Sequence, residues 1–138
     1  TERRVMDAAV KRQVRERADD RCEYCRLSQR HEEDRRFHVE HIIALRHRGR
    51  NDLDNLALAC ALCNLIKGPC LACLDPDGDR LTHLFHPRQD AWDEHFRRKC
   101  PSIMGLTDVG RTIVWLLDMN CDDRVMLRSA LIDLGELD

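Results

Sequence analysis

A chain of 138 residues is long enough to enclose a core, yet only 4% of it is aromatic, so the apolar mass available to fill one domain is thin. Charged residues make up 35%, and no apolar run in these residues approaches the roughly 18 to 20 of a membrane span, so the expectation is a soluble protein. The net charge of −2 hides an asymmetry, because residues 101–138 carry seven acids against three arginines, a balance of −4 that leaves +2 on residues 1–100. Any surface for a polyanion is therefore expected in the first hundred residues.

In chain order, residues 5–19 read as a helix with Val10, Val14 and Ala18 on one face and arginines on the other, leading through Asp19-Asp20 to Cys22 and Cys25. Residues 27–36 are polar and read as a loop; Phe37 to Leu45 has the β-branched and apolar content of a strand. Gly49 to Asp54 is turn chemistry. From Asn55 the apolar positions Leu56, Ala59, Leu62 or Cys63, and Ile66 recur at three and four residues, predicting a short helix that carries Asn64 and ends at Gly68-Pro69. Residues 70–87 predict a hairpin around Asp75-Pro76-Asp77-Gly78-Asp79, a plain turn and not a calcium loop, since Arg80 and His86 stand where that loop needs Gly and Glu. Residues 89–99 read as a helix, followed by a break at Cys100-Pro101 to Gly105. Two more helices follow, capped by Thr107 and Asp122, with Val109, Ile113, Leu116 and Leu117 inward on the first and Leu127, Leu131 and Leu134 on the second.

The cysteines carry the chemical signal. Of eight, four form the pairs Cys22-x-x-Cys25 and Cys60-x-x-Cys63, which bracket Phe37-His38-Val39-Glu40-His41-Ile42-Ile43. Residues 1–20 hold six Lys or Arg and no apolar stretch like that of a signal peptide, so chelation is favoured over disulfide bonding at this spacing. The expectation is a structural Zn2+ held by four thiolates in a cytoplasmic, reducing setting. Closing that site would draw residues 40 and 41 toward residue 64. A third pair, Cys70 and Cys73, has no matching fourth pair; two of His83, His86, Cys100 and Cys121 would have to complete a second site, and two ordinary thiols is the simpler reading.

Taken together, Cys22-x-x-Cys25, His38-Val39-Glu40-His41-Ile42-Ile43, Asn55-Leu56 and Cys60-x-x-Cys63-Asn64-x-x-Lys67-Gly68 resemble the HNH endonuclease family in its variant with a four-cysteine zinc site. Phe85-His86-Pro87-Arg88 and Trp92-x-x-His95-Phe96 resemble the continuation seen in a bacterial subgroup. The resemblance implies a small α+β domain with a ββα-metal core, a β-hairpin plus helix around the zinc, flanked by an N-terminal helix and a C-terminal helical extension. Residues 1–100 would form the nuclease core, and 101–138 the extension packed on the same domain. It also implies His41 as general base, Glu40 and Asn64 as ligands of a catalytic divalent ion, and Asn55 as the residue that pins the loop orienting the base. The chemistry agrees independently, since a neutral imidazole is suited to take a proton from water and carboxylate or amide oxygens suit Mg2+ or Mn2+. Arg46, Arg48, Arg50 and Lys67 are candidates for phosphate contacts. His38, sharing a strand face with Glu40, and His86 are candidate supporting groups, and adjacent Glu40 and His41 can serve one site only if the strand bends or ends between them.

The departures are small: Ala44 stands where the family commonly has proline, Gly49-Arg50 where it has two glycines, and Glu40 where aspartate is more frequent. The implied function is metal-dependent hydrolysis of DNA, with RNA left open, no membrane partner, and the acidic tail a candidate surface for a homodimer. The alternative is a non-catalytic, zinc-stabilised module that binds nucleic acid or protein.

Overall fold

Asp7 opens the first helix. Its carboxylate accepts from the amides of Ala9 at 2.7 Å and Val10 at 3.2 Å, satisfying two donors that a helix start leaves free, and α1 runs Ala8–Arg17. The computed structural model describes residues 6–137, so the part of the expected 5–19 helix at residue 5 lies outside the described residues. Val14 and Ala18 turn into the core. Arg17 donates to the carbonyls of Leu53 at 3.0 Å and Leu56 at 2.7 Å, fastening α1 to the segment that follows.

That segment holds the main difference from the sequence reading. Leu56–Ala59 is a strand, β2, paired antiparallel with β1 (His38–His41) in the register His38↔Ala59 to His41↔Leu56. All four β2 residues are buried. The helix begins only at Ala61, as α2 (Ala61–Lys67), because Cys60 caps it, its sulfur accepting from the Cys63 amide, and Gly68 at φ 48° ends it. The hairpin and helix of a ββα core are thus present, within the expected α+β class.

The described residues gather into two compact units, one comprising the chain up to Cys70 with His86–Gln89, the other Leu71–Phe85 with Asp90 onward. In the second, β3 (Ala72–Leu74) pairs with β4 (Leu81–His83) around the expected turn. Arg111 grips the turn's acids, with Nη2 2.8 Å from Asp75 and Nε 3.2 Å from Asp77, so a guanidinium supplies their counter-charge. The helix expected over 89–99 is one turn, α3 (Trp92–His95), that gives way to β5 (Phe96–Lys99) paired with β6 (Ser102–Gly105). Phe96 explains the switch: it packs at 5.0 Å from Trp92 and 5.1 Å edge-on to Phe85, contacts that an extended backbone supplies. Thr107 caps α4 (Asp108–Leu116) as expected, accepting from Gly110 at 3.0 Å. Gly110 is required there, since a Cβ would lie 2.0 Å from the His95 carbonyl oxygen. Val109, Ile113 and Leu117 are buried and Leu116 partly so. In α5 (Asp122–Asp133), Cys121 and not Asp122 occupies the cap position, and of the three inward leucines only Leu131 is buried; Leu134, past the helix end, is 70% exposed.

Candidate active site

Two turns of the same kind carry the cysteines. In each, the amide of the second cysteine points at the sulfur of the first, Cys25 N to Cys22 Sγ and Cys63 N to Cys60 Sγ both at 3.5 Å, a contact that favours thiolate. The four Sγ atoms, all buried, lie within 4.8 Å of one another, with Cys25 and Cys60 3.8 Å apart. Four sulfurs at 2.3 Å from a tetrahedral zinc would be about 3.8 Å apart, so the donor set and spacing fit Zn2+ in a closed structural site. Burial pushes the Cys22 thiol well up, whereas a hydrogen bond from Cys22 holds Cys60 below its ordinary value, so the four sulfurs do not ionise alike. Among the described residues this is the one group of three or more His, Cys, Asp or Glu side chains placed to hold a metal.

The zinc turns also place the residues between and beyond the cysteines. Glu23, inside the first, lies against β2: its amide donates to the Leu58 carbonyl and its carboxylate accepts from the Leu58 amide, both at 2.8 Å. Arg88 forms an ion pair with Glu23, and burial, with Arg17 nearby, pulls its guanidinium down to about 10. Tyr24, the next residue, donates its hydroxyl to Glu40 Oε2 at 2.8 Å. From α2, Lys67 Nζ lies 3.2 Å from the same oxygen and donates to the Ile42 carbonyl at 2.9 Å. Glu40 is only 8% exposed. Burial raises its carboxyl above the ordinary range, partly countered by the charge of Lys67 and the bonds from Tyr24 and Lys67.

His41 has different company. Its Nε2 lies 3.0 Å from Asn51 Oδ1. β1 is paired through both residues and ends at His41, and Glu40 and His41 have separate partners. Just past His41, buried Asn55 clamps the chain: Oδ1 accepts from Ile43 N at 2.9 Å, and Nδ2 donates to Ile43 O at 2.9 Å and to Arg50 O at 2.7 Å. Gly49 passes so near that a Cβ would lie 1.8 Å from the Ile43 oxygen.

Residues 22–69 match the HNH endonuclease family. No curated protein and no solved structure gives a match. The HNH segment covers both zinc turns, β1, β2 and α2, and the family match suggests a nuclease.

Within the HNH segment the sequence-predicted residues fall into distinct settings. Asn64 is half-buried on α2, one turn before Lys67. Lys67, expected at a phosphate, is instead 1% exposed, because its ammonium is committed to Glu40 and the Ile42 carbonyl. Arg46, Arg48 and Arg50 are exposed on the loop after β1. His38 is exposed at the start of β1, while His86, beyond the HNH segment, accepts from the Arg88 amide at 3.2 Å. Sequence reasoning missed Tyr24, Asn51 and the Glu23–Arg88 pair. Tyr24 and Glu23 could have been flagged by their place inside a zinc turn; Asn51 carried no signal beyond a turn-forming residue type.

Proposed function

We propose that this chain is a metal-dependent endonuclease that hydrolyses phosphodiester bonds in DNA, with His41 as the general base. The observation that carries the reading is the Asn55 clamp, which binds both polar groups of Ile43 and the Arg50 carbonyl and so fixes the loop over His41. An asparagine spent on backbone groups beside a half-buried histidine is what a base needs to hold its aim.

In this reading His41 takes a proton from the attacking water. Glu40, through Oε1, and Asn64, through its carboxamide oxygen, would hold Mg2+ or Mn2+, hard-donor chemistry that suits either ion. When bound, such an ion neutralises charge on the phosphate and the leaving oxygen. Tyr24 and Lys67, both on Oε2, hold the carboxylate in one orientation. Arg46, Arg48 and Arg50 would bind backbone phosphates, which positions a duplex without reading its sequence. A reducing, cytoplasmic setting follows from four thiolates given over to zinc.

The test is nicking of supercoiled plasmid with Mg2+ or Mn2+. Wild type nicks, and His41→Ala is slower by about 10²- to 10⁴-fold with unchanged zinc content. Equal activity in His41→Ala overturns the mechanism. One observation favours the second reading, a zinc-stabilised binding module without turnover: Glu40 is buried and neutralised by Lys67. That reading predicts retention of DNA or a protein partner with no cleavage under any divalent ion, and cleavage of an RNA substrate under the same ions with the plasmid left intact would redirect the substrate assignment.

A further inference from the structure

Resting on the proposed role of His41, we infer that Asn51 is the positioning residue that selects the base's tautomer, leaving Nδ1 as the atom that takes the proton from water. A neutral imidazole has one protonated nitrogen and one lone pair, and the partner of the first decides which nitrogen carries the second. Asn51 Oδ1, 3.0 Å from His41 Nε2, can only accept. Nε2 therefore holds the hydrogen and Nδ1 the lone pair. In the attack step Nδ1 forms a bond to the water proton as the O–H bond breaks, the oxygen's electron pair goes to phosphorus, the bond from phosphorus to the sugar oxygen breaks with its pair left on that oxygen, which takes a proton from solvent, and the ring becomes an imidazolium whose Nε2–H still points at Asn51.

A single bond between an exposed asparagine and a half-buried histidine would be a weak device if the loop were free. It is not free. The residue before Asn51 gives its carbonyl to Asn55 Nδ2 at 2.7 Å, and Asn55 is bonded on both its polar atoms to Ile43, two residues past His41. Gly49 presses against the same Ile43 carbonyl at a distance that leaves no room for a side chain. Asn51 and His41 are thus held from one anchor, Ile43, on both sides. The division of labour is that Asn55 locks the loop and Asn51 reads the ring.

The amide could orient the ring only through its oxygen or its nitrogen, and these give opposite tautomers, which makes the assignment decidable. Asn51→Ala removes the partner; Asn51→Asp keeps an acceptor and removes the donor. Nitrogen-15 NMR of the zinc-loaded protein at a pH where His41 is neutral reads the tautomer directly, alongside a pH–rate profile on a short duplex in Mn2+. Expected are a dominant Nε2–H form in wild type and Asn51→Asp, and a mixture in Asn51→Ala. Asn51→Ala lowers kcat by about tenfold to a hundredfold with KM within about twofold. Asn51→Asp, which keeps an acceptor facing Nε2, stays within about threefold of wild type. Zinc content and thermal midpoint establish that each variant folds. A wild-type tautomer in Asn51→Ala, or an Nδ1–H form in wild type, overturns the inference; His41→Ala with full activity overturns the proposed base instead, so the two failures are distinguishable.

Discussion

The two compact units reach stability by different means. The unit containing the HNH segment carries sixteen Lys and Arg against twelve Asp and Glu, a balance of +4, and has two aromatic residues, Tyr24 and Phe37. The other carries seven against thirteen, a balance of −6, and has four, of which Phe85, Trp92 and Phe96 form one packed cluster. Four buried cysteine sulfurs placed to hold a metal would supply the cross-linking that apolar side chains supply in the second unit. The lesson is that a unit with a basic balance and few aromatic residues has in its four-cysteine cluster a second means of cross-linking, which the acidic unit replaces with an aromatic cluster.

The largest expected effect breaks this contrast most directly. Removing zinc with a chelator, or Cys22→Ser, should unfold the first unit, since structural zinc contributes about 10 to 16 kcal/mol in small zinc domains. Both tryptophans, Trp92 and Trp115, lie in the second unit. Near-ultraviolet circular dichroism from tryptophan should therefore persist while amide protection in β1, β2 and α2 is lost. A joint collapse of both signals would show that the second unit does not stand on its own core.

The converse is Phe96→Ala, expected to cost about 3 to 5 kcal/mol of the second unit's stability by emptying the Phe85–Trp92–Phe96 cluster, with zinc content unchanged. Chemical denaturation followed by tryptophan fluorescence measures it.

A smaller and more local effect is expected of Gly49→Ala. The added methyl collides with the Ile43 carbonyl, displacing the loop at a cost of about 1 to 3 kcal/mol. Nicking should fall further than the melting temperature shift alone explains, and a variant with full nicking would detach the loop from function.

The smallest effect is a difference in sign. Arg111, through its hydrogen bonds, holds the Asp75 carboxyl below the usual range, so this pair's stabilisation is present above the unfolded value of about 3.9 and is lost as pH falls through the folded one. Burial holds Glu40 above its range, so its contribution is present below about 4.3 and is lost as pH rises through the folded value. Comparing urea unfolding of Asp75→Asn and Glu40→Gln with wild type across pH, at saturating zinc, should show Asp75→Asn flattening the acid-side loss and Glu40→Gln removing a neutral-side loss. The same sign for both would refute the contrast.

How much of this was legible in the sequence depends on how local each signal is. The four-cysteine cluster and the loop-pinning Asn55 announce themselves by spacing, and the Thr107 cap by residue type. β2 was misread as the start of a helix because a strand buried on every residue shows no alternation, leaving Leu56, Ala59 and Ile66 free to fit a helical period. β5 was misread because Arg97, Arg98 and Lys99 suit a helix, whereas Phe96 and the pairing with β6 decide otherwise. Lys67 looked like a phosphate ligand because its partner, Glu40, is 27 residues away and enters only through the fold.

Tyr24 is the sole tyrosine of the chain. It lies between Cys22 and Cys25 of the four-cysteine cluster and gives its hydroxyl to Glu40, and burial followed by the neighbouring carboxylate pushes its phenol well up. The phenolate absorbance of this protein is therefore an intrinsic gauge of a single joint. In an alkaline titration it should stay silent through the range where an ordinary tyrosine ionises and then rise together with the opening of the first unit, so that one ultraviolet band reports the moment when the zinc turn and the carboxylate part company.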